Sequence, residues 1–345
     1  MKRNIVIGPP GTGKTTCLKD KVDKLINGGH CRPDEIGYFS FTVKAAEEIR
    51  DRVAKDEWSE AELKKMYPYF CTLHSLAYKR LQLQQSQIMD QSDYDDLSRL
   101  TGRYFVNKMK KGNGMDISMP TAKSEYQDLI NLAYAKFPDD EDRLNKIFRT
   151  VKLSDYGARN TIEQMDLDLK NFKRDRDKLE YVDYFNHFLK RKNPPPLKYL
   201  FVDEAQDLSA HQWQVIDMIQ EVAKPIETYV AGDDDQVIFR WAGADIEHFI
   251  AMAKNDDNTI IPLTQSYRIP KSVHTIATKL AQSISRRIDK SYKPRDEEGE
   301  RTVLNIRPLN KGLAEGEWLI LCRTHEIVQQ VSESLEQFGW LYKRY

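Results

Sequence analysis

The 345-residue chain contains little cysteine and no excess of charge of either sign. Its four cysteines are scattered, without a CxxC pair, at Cys17, Cys31, Cys71 and Cys322. This pattern predicts reduced thiols and argues against a zinc site or a disulfide framework. Because 53 basic and 53 acidic residues give a formal net charge of zero, any anion binding must depend on local patches.

Long apolar runs are also missing from the sequence. None approaches the roughly 20 residues that a membrane-spanning helix requires. The apolar run in the N-terminal stretch MKRNIVIGPPG is too short for a signal peptide. With 40% hydrophobic and 31% charged residues, the sequence predicts a soluble cytoplasmic protein without a membrane partner, long enough for two domains.

Short β-rich runs alternate with helical patterns along much of the chain. The runs are NIVI near residue 4, IGYFSF near 36, YLFVD near 199, TYVAG near 228 and TIIPL near 259. Helices are expected over residues 14–27 and 43–55, and in the second Ile49 and Val53 share a face while Arg50 lies off it. Strands alternating with helices predict an α/β fold with a parallel sheet covered on both faces.

Between about residues 82 and 180 the strand signals vanish. Polar helical stretches there carry basic runs in NKMKKGNG and KNFKRDRDK, which indicates a helical insertion. The proline-rich connector in KRKNPPPLKYLF is expected to be stiff, and it returns the chain to a strand. After about residue 265, strand-like TVLNIR and EWLILC and a helix from about 325 to 338 indicate the start of a second α/β unit.

The segment GPPGTGKT follows the first predicted strand and opens a helix, as a phosphate-binding P-loop does. Its glycines allow backbone N–H groups to converge on phosphate oxygens, and the helix N-terminus adds a favourable field. Lys14 is expected to reach the β- and γ-phosphates, and the Thr15 hydroxyl to ligate Mg²⁺. An accidental glycine-rich turn is the alternative. The predicted nucleotide contacts are Gly8, Pro9, Pro10, Gly11, Thr12, Gly13, Lys14, Thr15 and Thr16.

Two acids, Asp203 and Glu204, end the strand-like run YLFV. A Mg²⁺ ion at Thr15 needs a carboxylate from a neighbouring strand tip, and Asp203 can supply it. Glu204 is then free to accept a proton from, or to orient, the water that attacks the γ-phosphate. Taken alone, such acids would more often be a solvated strand end. The sequence contains no N-K-x-D guanine signature, so ATP is favoured over GTP.

Further segments are not explained by nucleotide binding alone. They are FSFTVKAAEEIRDRV (39–53), CTLHSLAYKRL (71–81), AGDDDQVIFRWAGAD (231–245) and LTQSYRIP (263–270). Together with GPPGTGKT and VDEAQD, in this order, they resemble motifs I, Ia, Ib, II, III and IV of the UvrD/Rep/PcrA-like superfamily 1 DNA helicases. LILCRTH (319–325) also resembles a later segment of that family.

The resemblance implies a catalytic set of Lys14, Glu204, Gln236 and Arg268. Gln236 would sense the γ-phosphate and link it to the DNA-contacting segment that follows. Arg268 resembles an arginine finger, and its planar, always charged fork suits the charge on transferring phosphoryl oxygens. As isolated residues, Gln236 could be a polar turn residue and Arg268 a member of a surface ion pair.

The resemblance also implies a single-stranded DNA site of three aromatic and three polar residues, namely Phe41, Phe239, Trp241, Thr42, Thr72 and His74. The aromatic rings would stack on bases, which tolerates any sequence. The polar side chains would contact phosphate or sugar. Phe41 could instead belong to the core and His74 could be structural. The basic runs at 107–111 and 170–178 are candidates to extend the path, although such runs are usually solvated faces.

Some features depart from the family pattern. Ala242 stands where a basic residue is usual, Val43 replaces the usual asparagine, and no adenine-reading glutamine segment precedes the P-loop. Motifs V and VI, with the second arginine finger, and the 2B insertion have no counterpart before Tyr345. We therefore expect an incomplete helicase that does not unwind duplex DNA by itself.

These observations predict a P-loop RecA-like motor domain 1A (residues 1–80 and 180–265), a helical insertion 1B (81–179) and a partial RecA-like domain 2A (266–345). The expected activity is that of an ATP- and Mg²⁺-dependent DNA helicase or translocase, moving 3′ to 5′ on single-stranded DNA or a 3′-tailed duplex. A separate C-terminal helicase fragment is a candidate partner. The alternatives are a nucleotide-gated single-stranded DNA-binding ATPase without unwinding activity, and a P-loop ATPase that acts on RNA.

Overall fold

A computed structural model of the protein describes residues 2–54, 58–107, 124–300 and 318–343. Within these ranges a six-stranded parallel sheet has the order β3-β2-β4-β5-β1-β6. The strands are β1 (Lys2–Ile7), β2 (Ile36–Phe39), β3 (Phe70–Cys71), β4 (Tyr199–Val202), β5 (Glu227–Gly232) and β6 (Thr259–Pro262). The predicted α/β class is confirmed. The sequence pattern did not predict β3, because two residues are too few to show alternation.

Thirteen helices accompany these strands in the described ranges. They are α1 (Lys14–Asn27), α2 (Val43–Ala54), α3 (Glu60–Met66), α4 (Leu73–Leu81), α5 (Gln91–Thr101), α6 (Glu125–Lys136), α7 (Arg143–Thr150), α8 (Tyr156–Arg176), α9 (Tyr181–Arg191), α10 (Ala210–Ala223), α11 (Ile246–Ala253), α12 (Lys271–Gln282) and α13 (His325–Gln337). The predicted helices at 14–27, 43–55 and 325–338 agree with α1, α2 and α13 to within one residue.

The sheet is covered on both faces, as predicted for a parallel sheet between helices. Along β4, Leu200 and Val202 pack into one apolar cluster, and Tyr199 and Phe201 pack into the other. Helices α4, α9, α10 and α11 contribute to the first cluster, and α1 and α2 to the second. All four side chains of β4 are buried, which explains why the strand reads as a continuous apolar run.

One side chain of α2 departs from the expected pattern. Ile49 and Val53 are buried as predicted and Ala46 lies buried beside them, but Arg50 is buried too, at 4% exposure. Its guanidinium forms an ion pair with Asp51, and its aliphatic stem can cover apolar neighbours. The amphipathic pattern misplaced Arg50, because a long side chain can bury its stem while keeping its charge paired.

Between residues 82 and 180 the described chain contains α5, α6, α7 and α8 and no strand of the sheet. These helices share an apolar cluster of their own, with Leu97, Ile130, Phe148 and Phe172 among its members. Helix α6 also packs against α10, which connects this cluster to the sheet domain. The helical character agrees with the prediction, while the division into 1A, 1B and 2A stays a prediction.

The predicted strand EWLILC is wrong over residues 318–322, which form no regular secondary structure. A β-rich composition produces a strand only when a neighbouring backbone accepts its hydrogen bonds, and no described strand pairs with this segment. The other predicted strand, TVLNIR, lies outside the described residues. None of the described helices has both the length and the apolar character to cross a membrane. All four cysteines are free.

Candidate nucleotide and nucleic-acid site

The carboxyl ends of the parallel strands bring four loops to one edge of the sheet. Ile7 of β1 pairs with Gly232 of β5 and with Pro262 of β6, so the loops after these three strands begin side by side. Val202 at the end of β4 pairs with Val230 of β5. This edge is where ligands bind in open α/β sheets.

The loop between β1 and α1 depends on its glycines. Gly11 and Gly13 have φ angles of 72° and 82°, in the left-handed region that favours glycine. A Cβ atom on Gly8 would lie 2.5 Å from Thr12 Oγ1, so this position also excludes a side chain. The Thr12 hydroxyl donates to the carbonyl of Pro9 at 2.8 Å. The result is a closely folded main-chain cradle ahead of the N-terminus of α1, which suits a phosphate group.

Lys14, the first residue of α1, is buried at 9% exposure. Its Nζ donates to the carbonyl of Gly8 at 3.0 Å, so the ammonium is folded inside the loop. Its charge adds to the positive end of the helix dipole. Lys14 and the helix N-terminus therefore create a positive field where an anionic ligand would meet main-chain N–H groups.

Asp203, directly after β4, is held at both carboxylate oxygens. Thr15 Oγ1 donates to its Oδ2 at 3.0 Å, and the hydroxyl of Tyr38 donates to the same oxygen at 2.9 Å. The amide of Glu204 donates to Oδ1 at 3.0 Å. Burial and the neighbouring charge of Glu204 raise the pKa of Asp203, and these hydrogen bonds oppose that shift. A hydroxyl and a carboxylate are oxygen ligands of the kind Mg²⁺ prefers, so this pair fits the metal.

Glu204 has a left-handed backbone, with φ 50° and ψ 44°. This conformation is uncommon for a residue with a side chain, and strain of this kind clusters at functional sites. Its Oε2 accepts a hydrogen bond from Nε2 of Gln206 at 2.8 Å. Burial and the charge of Glu204 raise the pKa of the nearby Asp207 to about 7. Glu204 is therefore held by an amide side chain to which the sequence analysis assigned no role.

Gln206 also contacts the loop after β5. The main-chain N–H of Asp233 donates to its Oε1 at 3.1 Å. The carboxylate of Asp233 in turn accepts a hydrogen bond from Nε2 of Gln236. A continuous path of hydrogen bonds therefore joins Glu204, Gln206, Asp233 and Gln236, two of which were predicted to be catalytic.

The segment after β6 lies against the P-loop. The Ser266 hydroxyl donates to the carbonyl of Pro10 at 2.8 Å, and the N–H of Tyr267 donates to the carbonyl of Gly11 at 2.9 Å. A Cβ atom on Gly11 would lie 2.4 Å from Cβ of Arg268. Arg268 is exposed and begins beside the phosphate cradle. The fully buried Ser266 was not predicted from the sequence, because a lone serine carries no distinguishing pattern.

The three aromatic residues predicted to bind DNA form one cluster. The rings of Phe41 and Phe239 are stacked with centroids 5.0 Å apart, and those of Phe239 and Trp241 are 6.3 Å apart. Phe41 and Phe239 are half-buried, and Trp241 is 37% exposed. The turn that carries Trp241 ends at Gly243 (φ 99°), where a Cβ atom would lie 2.7 Å from Cβ of Ala135 in α6. The turn thus rests directly on the helical region.

The three polar residues of the predicted DNA site differ in exposure. Thr42 is exposed beside Phe41, and its hydroxyl accepts from the N–H of Ala45 at the start of α2. Thr72 is buried and caps α4.

His74 is 8% exposed and stacks on Tyr181 and Phe185. Burial lowers the pKa of its imidazole well below the ordinary range. This geometry favours the structural alternative for His74 over contact with a nucleic-acid backbone.

The basic run at 170–178 is largely occupied by ion pairs within the protein. The pairs are Lys170–Asp166, Lys173–Glu180, Lys173–Asp183, Arg176–Asp96 and Lys178–Asp93. These charges tie α8 to neighbouring elements, so the geometry favours a structural face over an extended DNA path. Of the run at 107–111, residues 108–111 lie outside the described residues.

Comparison with known proteins gives one family match. Residues 1–257 match the model described as the UvrD/REP helicase N-terminal domain. A probable DNA helicase of Mycoplasma pneumoniae is 27% identical over 299 residues, which cover 82% of this chain and 54% of that protein. The ATP-dependent DNA helicase PcrA of Staphylococcus aureus is 25% identical over 311 residues, 86% of this chain and 40% of that protein.

A probable DNA helicase II homolog of Mycoplasma genitalium is similar to the chain at the same level. It is 26% identical over 309 residues, which cover 81% of this chain and 41% of that protein. The chain therefore spans between two fifths and about half of the length of these relatives.

Proposed function

This chain belongs to the UvrD/REP helicase family, as its motifs predicted, and on that basis we propose that it is the ATP-binding and single-stranded DNA-binding part of a DNA helicase or translocase motor. The proposal includes a requirement for Mg²⁺, movement 3′ to 5′ on single-stranded DNA or a 3′-tailed duplex, and action in the cytoplasm. It also includes a separate C-terminal helicase fragment as a partner in unwinding.

The observation that most strongly supports the proposal is the hydrogen bond from Thr15 to Asp203, at 3.0 Å across 188 positions of sequence. It brings together the end of the P-loop and the tip of β4. P-loop NTPases hold Mg²⁺ with this combination of a hydroxyl and a strand-tip carboxylate. In our proposal Thr15 and Asp203 hold the ion, and Tyr38 fixes the orientation of the carboxylate.

When bound, Mg·ATP supplies a γ-phosphoryl group whose transfer to water releases free energy. Lys14 lies within the cradle and would neutralise charge on the β- and γ-phosphates. Glu204 would hold the attacking water through a carboxylate oxygen and accept its proton. Gln206 orients that carboxylate through its hydrogen bond at 2.8 Å.

Two further side chains would respond to the γ-phosphate. Arg268 begins beside Gly11, and its guanidinium would stabilise the charge on the transferring phosphoryl oxygens. Gln236 precedes Phe239 and Trp241 in the same loop. A movement of Gln236 toward the phosphate would therefore change the aromatic surface on which bases stack.

The decisive test is ATP turnover by the purified chain, measured without nucleic acid, with single-stranded DNA and with single-stranded RNA of the same sequence. We expect turnover that depends on Mg²⁺ and rises with DNA, and a Lys14→Ala variant that lacks it. Stronger stimulation by RNA would favour an RNA-directed ATPase. No turnover, together with nucleotide-dependent DNA binding, would favour a gated binding module.

Unwinding is tested by strand displacement on 3′-tailed and 5′-tailed duplexes, with and without a C-terminal fragment of a relative. We expect displacement of the 3′-tailed duplex only when the fragment is present. Displacement of the 5′-tailed duplex instead would contradict the proposed direction. Robust displacement by the chain alone would contradict the proposed need for a partner.

A further inference from the structure

Three consecutive carboxylates follow β5, and one ammonium group, that of Lys290, forms an ion pair with each of them. Lys290 Nζ lies 3.0 Å from Oδ1 of Asp233 and 2.9 Å from Oδ2 of Asp235, and it also donates to Asp234. The side chains of Asp233 and Asp234 are fully buried, and that of Lys290 is 8% exposed. Neither helicase motifs nor the nucleotide chemistry above assigns a role to Lys290.

Neighbouring residues add to this contact. Arg287 forms a two-pronged ion pair with Asp235, with Nε and Nη2 at 2.9 and 2.8 Å from the two carboxylate oxygens. The main-chain N–H of Ile288 donates to Oδ2 of Asp234 at 2.6 Å. We call residues 287–293 the basic strap. Its first half thus binds every member of the acidic triplet Asp233–Asp235.

The charge of Lys290 is needed because its partners are buried. A buried carboxylate without a counter-charge is costly, and removing one partner of a buried ion pair is strongly destabilising. Asp233 also accepts the hydrogen bond from Gln236. Any rotation of Asp233 that follows the loss of Lys290 would therefore displace the amide of Gln236.

Hydrogen bonds through Gln206 also connect Asp233 to Glu204, the carboxylate proposed to act in hydrolysis. The N–H of Asp233 donates to Oε1 of Gln206 at 3.1 Å, and Nε2 of Gln206 donates to Glu204 at 2.8 Å. Lys290 is therefore linked to Glu204 through two residues, each in a defined hydrogen bond.

The second half of the basic strap reaches the other side of the nucleotide site. Lys293 donates its N–H to the carbonyl of Thr264 at 2.8 Å, and its carbonyl accepts from the N–H of Ser266 at 2.8 Å. Ser266 is the residue that bonds to Pro10 of the P-loop and stands two positions before Arg268. One strap thus holds the loop of Gln236 at one end and the segment of Arg268 at the other.

We propose that Lys290, supported by Arg287, is a positioning residue for ATP hydrolysis that holds Gln236 and Glu204 in register with Arg268. This inference rests on the proposed function, because it assigns Lys290 to the same nucleotide site. Neither side chain is proposed to contact the nucleotide. Lys290 and Arg287 act through the acidic triplet, so their loss should affect the hydrolytic step more than nucleotide binding.

The first experiment compares Lys290→Met with a Lys279→Met control in steady-state ATP hydrolysis with saturating single-stranded DNA. Lys279 is exposed on α12, so this control removes a lysine charge outside the network. For Lys290→Met we expect kcat to fall about 10- to 100-fold, the scale of a small misplacement of catalytic groups. KM for ATP should stay within about threefold of its value in the unmodified chain, because Lys14, Thr15 and Asp203 keep their positions. Lys290→Arg should recover part of kcat.

A second readout needs no nucleotide. Amide hydrogen exchange in Lys290→Met should accelerate in peptides that cover residues 233–241 and leave those covering residues 8–18 unchanged. Circular dichroism checks that the variant folds. Should it unfold, Arg287→Met is the milder substitution, since it removes only the contact with Asp235, and a smaller fall in kcat with unchanged KM is expected.

The outcomes separate the two proposals. An unmodified chain that hydrolyses no ATP contradicts the proposed function itself. An active unmodified chain, with a folded Lys290→Met variant of normal kcat and normal exchange at 233–241, overturns the role of Lys290 alone. If only Arg287→Met folds, normal kcat and exchange in that variant overturn it equally.

Discussion

The phosphate cradle, Gly8–Thr16 with Asp203, and the aromatic cluster, Phe41 with Phe239 and Trp241, are positioned by different kinds of interaction. The cradle is fixed by backbone conformation and hydrogen bonding, through left-handed glycines and hydrogen bonds of 3.0 Å from Thr15 and the Glu204 amide to a buried carboxylate. The aromatic cluster is fixed by packing, through ring contacts and the close approach of its turn to α6.

This difference predicts different responses to substitution. In the cradle each functional group is placed once, so losing one charge or one oxygen should remove a catalytic contribution outright. In the proposed DNA site each ring of the cluster would contribute stacking of about 1–3 kcal/mol, and its neighbours could retain part of the surface. The proposed phosphate site should therefore be intolerant of change, and binding at the proposed nucleic-acid surface should weaken gradually.

The largest expected effect is that of Glu204→Gln on the proposed hydrolysis. Turnover should fall by about 10²–10⁴-fold, the usual contribution of a general base. Mg·ATP binding should persist, because Thr15 and Asp203 keep their positions. Turnover and equilibrium binding of a fluorescent ATP analogue measure the two separately, with Lys14→Ala as the comparison that loses both. Turnover near that of the unmodified chain would assign the water to another residue.

Gly243→Ala tests how the aromatic cluster is held. The new Cβ would clash with Ala135 at 2.7 Å while the backbone keeps its φ of 99°. Left-handed strain and overpacking together should lower the free energy of unfolding by about 2–4 kcal/mol. Chemical denaturation measures this change.

Gly102→Ala is the matched control for that substitution, since Gly102 has a φ of 68° and no atom within 4 Å of its Cβ position. It should carry only the strain of about 1–2 kcal/mol. Equal destabilisation by the two substitutions would show that the turn does not depend on contact with α6.

Trp241→Ala should weaken single-stranded DNA binding by about 1–3 kcal/mol, whatever the base sequence. The salt dependence of binding should hardly change, because the substitution removes stacking and no cation. Fluorescence anisotropy at several salt concentrations measures both quantities. Trp58→Ala serves as a control because Trp58 is also exposed, at 48%. A steeper or shallower salt slope at unchanged affinity would mean that Trp241 supports the loop instead.

The smallest expected effect concerns two buried histidines, His74 in α4 and His211 in α10. Burial lowers the pKa of His211 to about 4, below the ordinary value of about 6.5. Because the native state resists protonation, stability is complete above about pH 6.5 and is lost as the pH falls toward 4. At pH 5.5 the loss from His211 alone should be about 1 kcal/mol.

The raised pKa of Asp207 changes stability in the opposite sense over this pH range, so the loss from His211 has to be measured as a difference. Denaturation of the unmodified chain and of His211→Leu, each at pH 7.5 and pH 5.5, isolates it, and the unmodified chain should lose about 1 kcal/mol more than the variant. His74 should behave in the same direction, since burial lowers its pKa as well. A His74 substitution that weakened DNA binding without changing the pH dependence of stability would restore the predicted DNA contact.

Much of the fold could be predicted from local sequence. The strands at 4, 36, 199, 228 and 259 and the helices at 14–27 and 43–55 all follow from short-range patterns, since alternation and helical periodicity reflect burial on one or two faces. The P-loop was predictable for a similar reason, because glycine and lysine act there through their own backbone and charge. The two-residue β3 and residues 318–322 were not, because a strand exists only where a neighbour pairs with it.

Contacts between distant segments were decided by the tertiary structure alone. Parallel pairing of β1, β4 and β5 brings Thr15 to Asp203 and places Gln206 between Glu204 and Asp233. No local pattern marks Tyr38 or Lys290, whose partners lie 165 and 56 positions away. The burial of His74 could not be predicted from local sequence either, since its contact with Tyr181 and Phe185 depends on how α9 packs on α4. A sequence motif specifies which chemical groups are present, whereas hydrogen bonding and burial depend on distances that only the folded chain fixes.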